Sequence, residues 1–440
     1  MKDRIPRALF LLACLFLAFL YGFAASQFQW FPHGFLAKAL FDLRTAATGP
    51  AAAQSLHHKY PARHDLAGVR SNRGVTPDAR PGITLLTSYW PEDGWKPGVR
   101  LIDDRGTTLH HWTIDIPKIW PTSPHRDPMA GTMNQAFNYV HGSYLFPNGD
   151  LLVNIEYLGL ARLNVRGEVL WRLDRRTHHS VHRAEDGNFW VCSCRWIERP
   201  EANQRFPGLR GEFWDDIALL VSPDGQVLKE LSMLEVLFRS RHRALLWYSS
   251  DQQPDRTHMN DIEPLPSAMA ADYPLFKAGD LLISMRNVSL VMVVDPAGQT
   301  MRWAAPAIFS EQHDPDFIGD GWISVFDNRG DGSLEAKSRG GSGLLAMQPH
   351  TGALKMIYPR PGNDTGERWF HSIQGGKAQM LPSGGWLITE STAGRVFEVD
   401  QAGHTVWEWG QQRHDDNMVS EVLEGTRYPF APETVKGWTR

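Results

Sequence analysis

Cysteine is almost missing from this chain: 440 residues contain three, Cys14, Cys192 and Cys194. A disulfide scaffold is thereby excluded as the source of stability, and a chain of this length can bury a core large enough to do without one. Cys192 and Cys194 lie two apart in a segment that reads as a strand, so they share a face. A bridge across that spacing would close a strained small ring, and two buried free thiols are expected instead. Excess charge is missing too. The formal net charge is −4 with a pI near 6.5, which leaves no broad basic surface and excludes nucleic acid as a partner. No block of like charge marks an interaction tail.

One long apolar run is present, Ala8 to Ala25, preceded by Lys2, Arg4 and Arg7. It is uncharged and at the short end of what crosses a bilayer. The basic flank predicts a cytoplasmic N-terminus and an exported body. The expectation is a single-pass transmembrane helix in a bacterial inner membrane, with the remainder facing the periplasm. A cleaved signal peptide is the alternative, Gly22-Phe23-Ala24 being a tolerable cleavage site. Phe28, Trp30, Phe31, Phe35, Leu36, Leu40 and Phe41 keep the following segment hydrophobic, which suits an uncleaved anchor lying along an interface. Residues 1–27 are thus read as anchor and 28–80 as an interfacial segment and connector. From Ala46 to Arg80 the connector is rich in Ala, Gly, Pro and Arg, without periodicity, and is expected to run irregularly over the surface.

Glycine (39) and tryptophan (17) are abundant, and their placement repeats. Asn164-Val165-Arg166-Gly167 leads to Trp171, Asp295-Pro296-Ala297-Gly298 to Trp303, and Asp400-Gln401-Ala402-Gly403 to Trp407. Asp103-Asp104-Arg105-Gly106 before Trp112 reads as an earlier copy, while Ser222-Pro223-Asp224-Gly225 and Pro349-His350-Thr351-Gly352 keep the turn without the Trp. Six units of strand and turn predict an all-β, six-bladed β-propeller over residues 81–410. The blades fall near 82–115, 136–173, 176–232, 256–304, 309–358 and 368–410. Insertions lie at 116–135, 197–214 and 232–255, the last with a helical candidate from Met233 to Trp247. Residues 411–440 either close the ring against the first blade or cap one face.

The first strand of the units carries histidine: His141-Gly142-Ser143, His179-Ser180-Val181-His182, His258-Met259-Asn260-Asp261, His313-Asp314-Pro315 and His371-Ser372-Ile373. Innermost strands surround the propeller axis, so residues 179, 258 and 313, remote in sequence, are expected to share one pocket. Period-two alternation puts His179 on the opposite face from His178 and His182, making at least one of those two structural. On a strand His178 and His182 stand roughly 13 Å apart, too far to share an ion. A guanidinium in the same pocket would also repel a cation. No metal and no cofactor is expected.

Four of these stretches resemble landmarks of the bacterial arylsulfotransferase family: His178-His179-Ser180-Val181-His182, His258-Met259-Asn260-Asp261-Ile262-Glu263, Ser284-Met285-Arg286-Asn287, and Gln312-His313-Asp314-Pro315 followed by Phe326-Asp327-Asn328. They occur in the family's order across about residues 136–410. The resemblance implies a six-bladed propeller that moves a sulfuryl group from an aryl sulfate to a phenol, without a nucleotide donor, through a sulfated histidine. It implies His313 as nucleophile, with His258, Arg286 and His179 lining the sulfate pocket. Family members often carry an additional N-terminal β-domain, which this chain replaces with the short connector.

The residue types suit that chemistry on their own terms. A neutral imidazole is a competent nucleophile near pH 7, and splitting transfer into two displacements lets donor and acceptor use one pocket in turn. Arg286 offers a planar fork of donors to sulfate oxygens. His258 can protonate a leaving phenolate and deprotonate an acceptor, while His179 adds a donor for developing charge. Asn260, Asn287, Asp314 and His371 complete the candidate substrate-binding set. A second reading is a non-catalytic propeller that binds a glycan or protein partner at a membrane complex, with the anchor as its motive. Expected partners are therefore a small aryl sulfate and a phenol, the membrane, and a membrane protein.

Overall fold

The computed structural model describes residues 4–27, 58–71, 82–125, 139–248, 254–330, 338, 340–360, 370–414 and 417–438. Met1–His57 and His58–Arg440 form two compact units. In the first, Arg4–Gln27 is a helix whose side chains from Leu9 to Phe23, such as Phe10, Leu15 and Phe19, are exposed. Among the described residues no helix is long and apolar enough to cross a membrane. The transmembrane helix expected for Ala8–Ala25 therefore finds no support in the structure. The aromatic stretch from Phe28 to Phe41 lies outside the described residues.

The second unit is a six-bladed β-propeller of antiparallel four-stranded sheets. Blades 2 to 5 are Val140–Leu173, Arg176–Ser232, Met259–Pro306 and His313–Tyr358, each running in sequence order from axis to rim. Blade 6, Lys377–Gly410, gains a fifth strand at its rim from Gly68–Ser71. Blade 1 combines Ile83–Trp90, Lys96–Ile102 and Thr108–Thr113 with Val422–Tyr428, which pairs against Ile83–Ser88 as the innermost strand. The two open possibilities for residues 411–440 are thus resolved. The C-terminal segment closes the ring by joining the first blade, and the propeller's strands extend beyond residue 410.

The repeated turn and tryptophan act as a fastener between blades. The indole N–H of Trp112 in blade 1 donates to the Asn164 carbonyl in blade 2's outer turn (3.1 Å), and Trp171 of blade 2 donates to Pro223 of blade 3 (3.0 Å). Trp407 of blade 6 donates to Asp104 of blade 1 (2.9 Å), repeating the contact across the ring's closure. A Trp belongs at these positions because it buries a large apolar body while its one donor finds a carbonyl. Hydrophobic clusters fill the spaces within and between blades, for example Leu152, Leu160, Phe189, Val191 and Leu219.

Two expectations need correction. The connector does not run irregularly throughout: Lys59–Pro61 pairs with Met418–Ser420, and Gly68–Ser71 with Trp407–Gly410. Buried hydrogen bonds fix it, between His58 and Glu421 and between His64 and Glu390. A short strand that borrows its partner from a remote segment leaves no periodic signal of its own. The helix from Met233 is also shorter than expected, ending at Arg239 before a second turn at Leu245–Tyr248. Ser232 caps its start by accepting from the Glu235 N–H, and Ser240 ends it in extended conformation.

Candidate functional site

Innermost strands of successive blades contact one another around the axis, and five of the six are irregular at one level. Pairing with the next strand slips between Val140 and Ser143, Thr177 and Val181, Met259 and Asp261, His313 and Asp316, and Val422 and Glu424. A bulge adds a residue to one strand and re-aims its side chain. His179, His258 and Asp314 lie at or beside these slips in left-handed backbone (φ 53°, 52° and 49°), a conformation that non-glycine residues rarely adopt outside functional or strained sites. Gly142 sits where blades 2 and 3 come into close contact; a Cβ there would stand 2.3 Å from the His179 carbonyl oxygen.

The result is a layer of imidazoles. The ring of His179 lies 4.0 Å from His141, 4.9 Å from His258 and 6.5 Å from His313, centroid to centroid. The expected convergence of residues 179, 258 and 313 is what the structure displays. His141 belongs to the same group. His178 does as well: its Nδ1 is 2.9 Å from Nδ1 of His179. Strict alternation fails here because the bulge turns consecutive residues toward one space. His182 faces the axis further along, 3.4 Å from Asp261.

The two central histidines are set in opposite states. His313 Nδ1 lies 2.8 Å from Asn328 Oδ1 and 3.0 Å from the Glu311 carbonyl. Asn328 spends its amide N–H groups on the carbonyls of Ser372 and Gly375, so its oxygen must face the ring. Both neighbours of Nδ1 are acceptors, the proton sits on Nδ1, and the Nε2 lone pair is left open. Burial, reinforced by the positive charge of Arg286, pushes the His313 pKa down to about 3. His258 Nδ1, in contrast, meets Asp255 Oδ2 at 2.5 Å. Burial alone would lower its pKa, but the charge and hydrogen bond of Asp255 outweigh burial and raise it.

Arg286 starts a 3-10 turn after Ser284-Met285, its N–H bonded to the His258 carbonyl (3.0 Å), which ties the guanidinium to that histidine's backbone. One guanidinium nitrogen donates to Asn287 Oδ1 and another stands 3.9 Å from Glu311. Asn287 in turn donates to the Asp255 carbonyl (2.9 Å) and so steadies the loop that presents the His258 partner. Asn260 donates to the Gln312 carbonyl, and its buried Oδ1 has no hydrogen-bond partner among the described residues.

Beneath the histidines a small cavity extends down the axis between His141, His179, His313, Asn260 and a carboxylate-rich floor of Asp261, Asp314 and Glu424. Lys377 crosses this floor with Nζ 3.0 Å from Glu424. Asp314 accepts from the Ala378 N–H, and burial, with the charge of Asp261, outweighs Lys377 and pushes its pKa up to about 6. His371 is not part of this assembly. It is fully buried between blades 5 and 6, bonded through Nδ1 to Ser342 and through its N–H to Glu390. Its blade is the one whose innermost strand pairs without a slip.

Residues 142–413 match the model of the arylsulfotransferase (ASST) family. The chain belongs to that family. No curated protein matches it. Among solved structures, a Bacteroides caccae protein of unknown function is 13% identical, with 74% of this chain and 93% of that one covered at a TM-score of 0.46. Hydrazine synthase of Kuenenia stuttgartiensis is 11% identical, covering 69% and 70% at 0.41. Virginiamycin B lyase of Staphylococcus aureus is 11% identical, covering 66% and 84% at 0.35.

Sequence reading did not single out Asn328, Asp255, Glu156 or Glu311 as site residues. Asn328 stands within Phe326-Asp327-Asn328, one of the family stretches, and Asp255 lies three residues before His258. Glu156 had no local signal: it follows an ordinary strand, Leu151–Ile155, and reaches His141 across strand pairing within its blade and His179 through packing against the next blade.

Proposed function

We propose that this family member transfers a sulfuryl group from an aryl sulfate to a phenol by two displacements at His313. In the first, the Nε2 lone pair attacks sulfur, the S–N bond forms, and the S–O bond to the aryl group breaks. The departing aryl oxide takes a proton from His258. In the second, His258 takes the proton of the incoming phenol, its oxygen attacks sulfur, and the S–N bond breaks. Proton and sulfuryl balances both close over the cycle. Arg286 carries the charge of the sulfate oxygens and His179 adds a further donor, in a buried space where such interactions count for more than in water.

The observation that carries this reading is the contrast between His313 and His258. Neighbouring groups whose surroundings drive their pKa values apart divide nucleophile from acid. A neutral ring with an open Nε2 suits attack; a ring held toward its charged form by Asp255 suits protonation of the leaving group.

We further propose that the exposed apolar face of the N-terminal helix is covered by lipid, holding the propeller on the periplasmic side of a bacterial inner membrane. Fractionation of full-length chain against chain beginning after residue 27 tests this: equal solubility of both removes the anchor.

Purified protein incubated with an aryl sulfate and a phenol is expected to release the donor's phenol, with intact mass increased by one sulfuryl group when acceptor is withheld. His313→Ala should abolish both signals. Absence of turnover and of the adduct with a panel of donors would favour the binding-protein reading.

A further inference from the structure

Among the described residues, His141, Glu156 and His179 form a group that could hold a metal ion. His141 lies on blade 2's innermost strand, Glu156 follows the second strand of the same blade, and His179 comes from blade 3. Glu156 divides its carboxylate between them. Oε2 is 3.0 Å from His141 Nδ1 and Oε1 is 3.5 Å from His179 Nδ1. One donor atom from each residue falls within 4.8 Å of the other two.

We propose that these three side chains bind one divalent cation of the zinc class. Two imidazoles and one carboxylate with an open position are a recurrent zinc donor set. With bonds of about 2.0–2.1 Å, the edges of a tetrahedron around zinc are about 3.3 Å long. The two carboxylate-to-nitrogen separations, made by different oxygens of Glu156, bracket that value, and with one donor atom from each residue all pairs lie within 4.8 Å, so the ligands must draw together to close on an ion. Mixed nitrogen and oxygen donors select against calcium and magnesium, which take oxygen alone.

The surroundings suit the ion. Burial raises the Glu156 pKa, but His141, the charge of His178 and a hydrogen bond from the His179 backbone N–H outweigh burial and lower it, favouring the charged carboxylate. Burial and the adjacent imidazoles hold His179 well below its ordinary pKa, leaving the neutral form that ligates. Arg286 acts on His258 and His313; the groups acting on His179 are His141, His258, His178 and His313, with no guanidinium among the leading contributors. His141 and His179 also line the axial cavity, so the fourth position would open toward the space beside His313. An ion on Nδ1 of His179 fixes the proton on Nε2, which keeps that nitrogen a donor and remains compatible with its anion-binding role. The ion would displace the contact between His178 Nδ1 and His179 Nδ1 (2.9 Å).

The test uses chelator-dialysed full-length protein titrated with zinc chloride, read by calorimetry and by metal content after gel filtration. One tight equivalent per chain is expected, with a rise in Tm because only the folded state assembles the site. Cobalt(II) should give the visible absorption of a four-coordinate ion. His141→Ala and Glu156→Gln should each weaken zinc binding at least tenfold, whereas His404→Ala, on the exposed rim, should not. X-ray absorption of the wild-type zinc complex checks the ligands without any variant: a shell of two imidazoles and light oxygen donors is expected. Failure to bind a stoichiometric ion, a shell of other composition, or affinity indifferent to both substitutions would overturn the proposal. Metal content is read without turnover, so an inactive protein that binds zinc this way separates this inference from the sulfotransferase reading.

Discussion

The rim and the axis of this propeller solve different problems with the same strands. At the rim, the fourth strand slips once against the third in all six blades, polar turns recur, and an indole N–H fastens three blade junctions, Trp407 at the ring's closure. At the axis the innermost strand slips in five blades only, and these slips lie beside the gathered His141, His179, His258 and His313. The rim repeats one arrangement around the ring, whereas the axis differs from blade to blade and gathers histidines where it does. Blade 6 makes the point internally. Its innermost strand does not slip, and its histidine, His371, stays inside the packing.

Separating these roles by mutation breaks or sharpens the contrast. The largest effect is expected for His313→Ala: loss of aryl sulfate turnover by about three orders of magnitude or more, with a thermal midpoint near wild type. A comparable drop in midpoint would move His313 into the structural class. His258→Ala should cost about two to four orders of magnitude in rate, and Asp255→Asn should lower the optimum pH by removing the charge that raises the His258 pKa. An unshifted pH profile for Asp255→Asn would detach Asp255 from the chemistry.

At the rim, Trp407→Ala is expected to destabilise the fold by about 3–5 kcal/mol while the surviving folded fraction keeps its kcat; chemical denaturation and active-site titration check the two halves. Trp407→Phe retains most of the apolar body and should cost only about 1 kcal/mol, the net worth of the hydrogen bond to Asp104. A fall in kcat for either Trp variant would show that rim and axis are coupled.

A last effect concerns pH and stability. His313 has a folded pKa of about 3 against about 6.5 in an unfolded chain. Between those values the unfolded state binds the extra proton, so stability increases with pH and is lost as pH falls from about 6.5 toward 3. His178, lowered to about 4 chiefly by burial, acts in the same direction. Replacing His313 by Gln should flatten this acid-side decline in unfolding free energy measured by urea titration. An unchanged slope would place the ring in a less buried setting than the one described.

Much of the architecture was legible because it repeats. Turn residues before Trp112, Trp171 and Trp407 marked the blades, and the identity of the family was readable from ordered stretches around His179, His258, Arg286 and His313. The pattern failed where a local rule was broken. Alternation along Arg176–Arg183 separated His178 from His179, but a bulge turned both inward. Glu156 and Asn328 gained their roles from partners on other strands and in adjacent blades, for which a strand's own sequence holds no periodic mark. The short strands of the connector were invisible for the same reason.

By itself, the sequence determined the class of fold, the number of blades and which histidines and arginine could meet, since turn chemistry and hydrophobic alternation act over a few residues. Only the tertiary structure decided that Val422–Tyr428 closes the ring, that His371 stays apart, and that His313 is neutral while His258 is drawn toward its charged form. Those outcomes depend on burial and on partners such as Asn328, Asp255 and Glu156. Burial and partnership arise when distant segments pack, not from the segments alone.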